Sequence, residues 1–147
     1  MLLDLPDFTI FTKDMFTFFS EISLSPKDIT DRKELILFVR NKLADRNYQG
    51  GEPSGFYTGI DLEIFGSYAA GLSTKDSDLD FRVNDFYTYR YLNLEKISHN
   101  LVFDPKTSET WAISKNSRLE ILDHLKHARV PIVKMRDRLT GIEFDLS

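Results

Sequence analysis

Cysteine is missing from this 147-residue chain, which excludes a disulfide framework and a thiolate metal site and fits a reducing compartment. A surplus of positive charge is missing as well. Nineteen Lys and Arg stand against 23 Asp and Glu, for a net charge of −4, so binding of nucleic acid chiefly through a basic surface is disfavoured. No window approaches the roughly 20 apolar residues of a membrane span, and no membrane partner is expected. The opening M-L-L-D-L-P-D has neither a basic leader nor a long apolar stretch behind one. Internal repeats and low-complexity tracts are absent too. The expectation is a soluble protein of the cytoplasm, with nucleus or organelle left open.

What is present suits one globular domain. Hydrophobic residues make up 41% and charged residues 29%, enough for a real core in a chain of this length. Residues 7–22 read as a Phe-rich amphipathic helix closing that core, with a membrane contact or a partner surface as the other readings. Ser25-Pro26 starts a second helix, Ser as N-cap and Pro at the first helical position. Ile29, Leu35, Ile36, Phe38, Val39 and Leu43 carry it to about Arg46, and Gly50-Gly51 is the stop signal. Gly59 to Phe65 alternates Ile60, Leu62 and Ile64 with Asp61 and Glu63 as a half-buried strand. A brief helix over 68–75 and a turn at Asp76-Ser77 lead to a second strand, Leu79 to Val83. The aromatic stretch 84–116 reads as helix, loop and irregular connection. Ser117 to Glu120 has the pattern of a capping box, which predicts a helix carrying Leu119, Leu122, Leu125 and Ala128. Val130 to Met135 is a third strand, with Pro131 confined to its start or to an edge. After a hairpin at 136–141, Ile142, Phe144 and Leu146 alternate with polar residues as a fourth.

The chemistry concentrates between Ile64 and Val83. Asp78 and Asp80 alternate with Leu79 and Phe81, so on a strand they share a face, roughly 7 Å apart. Like charges held that way repel unless a cation lies between them. Carboxylates holding paired Mg²⁺ ions are a recurring device for phosphoryl and nucleotidyl transfer. Asp145, on the polar face of the last strand, becomes a third carboxylate if that strand pairs beside Leu79–Val83; it is also a candidate base for a hydroxyl proton. Gly66 and Ser67 complement them. A glycine lets backbone approach a phosphate closely, and a serine hydroxyl with backbone N–H groups can hold the anion.

Gly66-Ser67, nine residues, then Ser77-Asp78-Leu79-Asp80 resembles the signature of the DNA polymerase β-like nucleotidyltransferase superfamily. Arg129-V-P-I-V-Lys134 followed by Phe144-Asp145-Leu146-Ser147 looks like its terminal uridylyltransferase and poly(A) polymerase branch. The resemblance covers about residues 59–83 and 129–147. It implies an α/β fold, a small mixed sheet with helices packed on it as the nucleotidyltransferase palm, over residues 1–147. It implies metal ligation (Mg²⁺ or Mn²⁺) by Asp78, Asp80 and Asp145, and nucleoside triphosphate contact by Gly66 and Ser67, with Ser77 as a neighbour. The implied activity is template-independent addition of uridylyl or adenylyl units to an RNA 3′ end, releasing pyrophosphate. Relatives continue past the third carboxylate into a helical domain that grips base and sugar, so a missing helical domain or second chain is expected as a partner. The alternatives are a small stand-alone nucleotidyltransferase acting on protein or tRNA, and an inactive binding module of the same fold.

Each of these features has a plainer reading. An Asp-x-Asp after a turn is often a solvated strand edge, and Ser67 can simply cap a helix. Tyr87, Tyr89, Tyr91 and Trp111 suit packing more readily than base stacking. Lys126, Arg129, Lys134, Arg136 and Arg138 form either a strip facing RNA phosphates or an ordinary solvated face. His124 and His127, one helical turn apart, have a metal-binding spacing but no third ligand.

Overall fold

The computed structural model describes residues 8–44, 60–85, 94–102 and 117–147. Chain order runs α1 (Phe8–Ile22), α2 (Pro26–Ala44), β1 (Ile60–Phe65), α3 (Gly66–Ala69), β2 (Leu79–Asp85), α4 (Leu94–Val102), β3 (Leu119–Leu125), β4 (Ile132–Asp137) and β5 (Glu143–Leu146). The expected Gly50-Gly51 stop, the loop over 52–58 and the aromatic residues Tyr87, Tyr89, Tyr91 and Trp111 lie outside the described residues.

The five strands form one mixed sheet in the order β1-β2-β5-β4-β3, which is the α/β palm expected. Three of the four pairings are antiparallel; β2 and β5 alone run parallel. That exception follows from connectivity, because a parallel partner needs a long crossover and β5 lies beyond α4, β3 and β4. Alternation divides the sheet into two faces. Leu79, Phe81, Val133, Met135, Phe144 and Leu146 are buried on one face, and Phe81 meets Phe144 with ring centroids 5.2 Å apart. Leu35, Ile36 and Val39 of α2 and Ile97, Leu101 and Val102 of α4 complete the same core. Helices α2 and α4 thus occupy one face, and the polar alternates of β2 and β5 are left on the other.

Two expectations are corrected. Residues 119–125 are strand, not helix. The run L-E-I-L-D-H-L supports both periods, since Leu119, Leu122 and Leu125 suit a helix while Leu119 and Ile121 suit a strand. A bulge resolves it: the pairing with β4 shifts between Ile121 and Asp123, leaving Leu122 as the extra residue. Glu120 then faces Arg136 and Arg138 rather than closing a capping box, and the buried Ser117 hydroxyl has no hydrogen-bond partner among the described residues. Helix α1 is the second correction, because it does not close the core. Ile10, Phe11, Met15, Phe16, Phe18 and Phe19 are all exposed, Phe16 to 70%. Its apolar residues keep largely to one stripe that carries Phe11, Met15, Phe18 and Phe19, and its backbone ties among the described residues lie at its C-terminal end: Ile22 carbonyl accepts from the Lys75 N–H, and Ser23 bridges Thr74.

The β4–β5 hairpin delivers Asp145, and one buried carboxylate holds it. Asp137, fully buried, accepts two parallel bonds of 2.9 Å from the Arg118 guanidinium, along with bonds from the Thr140 hydroxyl and the Leu139 N–H. Arg118 also lies over the Phe38 ring, 4.4 Å from its centroid. Gly141, at φ +77°, closes the turn with its N–H on the Asp137 carbonyl. Burial pushes the Asp137 carboxyl up, but the bonds from Arg118, Thr140 and Leu139 outweigh it and leave the group below its ordinary 3.8. Asp137→Ala is expected to cost about 3 kcal/mol, since it strands a cation that is itself only partly exposed. Urea unfolding measures that loss. In the parent chain the carboxyl's contribution is present above pH 3.8 and fades as pH falls through that value towards the lower folded-state pKa; the variant should lack that acid limb.

Candidate active site

Backbone register sets the polar face. Phe65 lies opposite Asp80, Asp80 opposite Asp145, and Asp145 opposite Lys134, a row across four neighbouring strands. Adjacent strands are about 4.8 Å apart, so the Asp80 and Asp145 carboxylates are neighbours. Both are half-buried; Asp78, just ahead of β2, is exposed. The convergence of the expected carboxylates therefore comes from the parallel β2–β5 pairing.

The electrostatics follow from that row. Desolvation raises the Asp80 pKa above its ordinary 3.8, and the charges of Asp145 and Asp78 add to the rise, while Lys134 opposes it. Lys134 Nζ lies 3.2 and 3.4 Å from the two oxygens of Asp145, so one ammonium partly offsets three carboxylates. Among the described residues no three acidic or histidine side chains are closed around a common point. The carboxylates are adjacent rather than drawn into a finished ligand shell, as mutual repulsion dictates. Their hard oxygen donors and unbalanced negative charge fit Mg²⁺ or Mn²⁺.

Gly66 is tied to this group by contact as well as by chain direction. It sits at φ +70° where β1 turns into α3. A Cβ there would fall 2.0 Å from Asp80 Oδ2 and 2.8 Å from Asp80 Cγ. The space a side chain would fill is thus taken by the carboxylate itself, so the glycine that reads from sequence as making room for phosphate also makes room for Asp80. Ser67 follows in the first turn of α3, half-buried, and no hydrogen bond among the described residues takes up its hydroxyl. Ser77 is differently engaged: its hydroxyl accepts from the Thr74 N–H at 2.9 Å and pairs with the Thr74 hydroxyl at 3.0 Å, closing the turn before Asp78.

The remaining candidates separate. Four members of the basic strip are matched to carboxylates: Lys126 to Glu95, Lys134 to Asp145, Arg136 to Glu143 and Glu120, and Arg138 to Glu120. Arg129 is exposed in the turn between β3 and β4. With residues 119–125 extended, His124 lies in β3 and His127 in that turn, so the helical spacing that suggested a metal pair is gone. Sequence reading took Lys134 as one of a strip; only cross-strand register shows that it belongs to Asp145.

Gly71 provides a control for Gly66. It has nearly the same φ, +72°, but nothing within 4 Å of its would-be Cβ. Alanine at either position should cost about 1–2 kcal/mol for left-handed backbone. Gly66→Ala should lose further stability and weaken Mn²⁺ binding, because Asp80 has to move; Gly71→Ala should leave Mn²⁺ affinity unchanged. Thermal unfolding with and without Mn²⁺ reads both effects.

Over residues 11–147 the sequence matches the family described as poly(A) RNA polymerase, mitochondrial-like, central palm domain. Among solved structures the fold is similar to Cid1 poly(U) polymerase bound to Mg and 3′-dATP, with TM-score 0.63 and 23% identity over 92% of this chain and 36% of that one. It is also similar to a cytoplasmic RNA terminal U-transferase, with TM-score 0.62 and 23% identity over 94% of this chain and 35% of that one. The polymerase core of TRAMP, an RNA surveillance complex, gives TM-score 0.56 and 25% identity over 88% and 34%. No curated protein sequence matches. The chain spans about a third of the length of these structural relatives. With 137 consecutive positions (11 to 147) matched and the palm sheet in place, the chain belongs to the mitochondrial-like poly(A) RNA polymerase central palm domain family.

Proposed function

We propose that this chain is the catalytic palm of a metal-dependent, template-independent RNA 3′-terminal nucleotidyltransferase, which adds uridylyl or adenylyl units from a nucleoside triphosphate and releases pyrophosphate. The observation that carries this reading is the parallel pairing that sets Asp80 opposite Asp145, with Asp78 two residues ahead. Asp78, Asp80 and Asp145 hold the divalent cations. When bound, Mg²⁺ lowers the pKa of the attacking 3′-hydroxyl and neutralises charge on the triphosphate and the leaving pyrophosphate. Asp145 accepts the hydroxyl proton. Gly66 and Ser67 present backbone N–H groups and a hydroxyl to the triphosphate, with Ser77 shaping the turn beside them. Lys134, bonded to both oxygens of Asp145, orients that carboxylate. Recognition of base and sugar falls to a helical domain or second chain outside these 147 residues. An acidic chain in which four of the five strip residues are already ion-paired supports that division, because RNA affinity then comes from elsewhere.

Incubation of the complete protein with labelled RNA, each NTP in turn and Mg²⁺ tests the reading. Extension of the RNA by UTP or ATP is expected. Label appearing on protein instead points to the stand-alone class, and no transfer in the presence of the helical part points to a binding module. Asp80→Ala should abolish extension. Its metal-free thermal midpoint should equal or exceed that of the parent, because a carboxylate repelled by two others is removed. The pH dependence has a definite sign. With its folded-state pKa above 3.8, Asp80 keeps its proton to higher pH in the native chain than in the unfolded one. Its contribution to stability therefore falls as pH rises from 3.8, and Asp80→Ala should lack that fall.

A further inference from the structure

Arg32 is the most buried charge in α2, 2% exposed, yet among the described residues no carboxylate lies within ion-pair distance of it. Its Nε is buried and has no hydrogen-bond partner among the described residues. Its Nη2 instead donates to three backbone carbonyls of one short segment: Thr74 at 3.4 Å, Lys75 at 3.1 Å and Ser77 at 3.0 Å. Burying a guanidinium is costly unless strong acceptors meet it. Here the whole of that cost is directed at one turn.

The turn is the one that precedes Asp78. Its N–H of Ser77 bonds the Thr74 carbonyl, the Ser77 hydroxyl bonds back to Thr74, and Thr74 bridges Ser23 while the Lys75 N–H reaches Ile22. The Ser77 carbonyl belongs to the peptide that joins Ser77 to Asp78. A donor fixed on that oxygen fixes the plane from which Asp78 departs. Asp80 needs no such help, since β2 is paired on both sides. Asp78 lies outside the strand and is exposed, so the turn is what sets its direction.

We propose that Arg32 is a positioning residue for the metal site: it acts through the Thr74–Ser77 turn to aim Asp78 at the cation that Asp80 and Asp145 share. This rests on the reading of Asp78 as a ligand. All three bonds come from one guanidinium nitrogen, Nη2, which stands one bond farther from Cα than a lysine Nζ, so lysine at this position draws the donor back from the turn. Loss of groups that orient a ligand typically weakens metal binding about 10–100-fold.

The test is Mn²⁺ affinity, by titration calorimetry on the full chain, of the parent, Arg32→Met, Arg32→Lys, Asp78→Asn and the double variant Arg32→Lys with Asp78→Asn. Near-ultraviolet circular dichroism confirms that each is folded at the working temperature. The expected result is Mn²⁺ binding weakened about tenfold or more in Arg32→Met and by less in Arg32→Lys. In the Asp78→Asn background, Arg32→Lys should add little further loss. Should Arg32→Met fail to fold, Arg32→Lys and the double variant decide alone. Folded Arg32 variants that bind Mn²⁺ like the parent overturn the proposal, as does an undiminished Arg32→Lys effect in the Asp78→Asn background. If the parent and Asp78→Asn bind Mn²⁺ equally, it is the ligand reading of Asp78 that fails.

Discussion

The parallel contact between β2 and β5 is the constraint on which the site depends. It joins two locally built halves of the sheet: the β1–β2 pair with α3 between, and the β3–β4–β5 meander. Each half satisfies its own backbone, and each exposes one edge that the other fills. Because the seam is in register at Asp80 and Asp145, covering the apolar face and bringing two carboxylates together are one event. Phe81 against Phe144 on one face and Asp80 beside Asp145 on the other are consequences of the same pairing. The burial of Phe81, Phe144 and Leu146 supplies the free energy that holds the carboxylates in a mutually repulsive arrangement.

Charge elsewhere on the sheet is settled locally. Arg118 with Asp137, Arg136 with Glu143 and Glu120, Arg138 with Glu120, and Arg82 with Glu63 are cross-strand or near-strand pairs. Most are exposed and contribute little stability individually, but they leave no broad patch of one sign on those strands. The row from Asp78 to Lys134 departs from that pattern, with three carboxylates and one ammonium. Sites that bind or react are where such local rules are broken.

Sequence made the site legible where its geometry follows from alternation and short spacing. Asp80, the Gly66-Ser67 pair and the alternation around Asp145 needed only a period of two and a turn, whereas Asp78, expected on a strand face beside Asp80, lies in the segment just ahead of β2. The strand at 119–125 was not legible, because its bulge consumes Leu122 and makes a strand imitate a helix. The exposure of α1 was hidden for a different reason: an apolar helix shows that it wants a partner, not whether these residues provide one. Arg32, Asp137 and Lys134 could not have been singled out by pattern. Each owes its importance to a partner distant in sequence or across a strand, and polar residues carry no periodic mark of such a partner.

The seam also has a consequence for the order of events in folding. The β1–β2 and β4–β5 pairs each close over short stretches, whereas their union joins segments far apart in the chain and bears the larger loop-closure cost. Asp78 and Asp80 are in place on an early hairpin, but they stay without their third partner until that union is made. A half-folded chain therefore carries no completed carboxylate set. The carboxylate set is completed only when the native topology has closed, and any change that slows the docking of β5 delays that completion by the same interval.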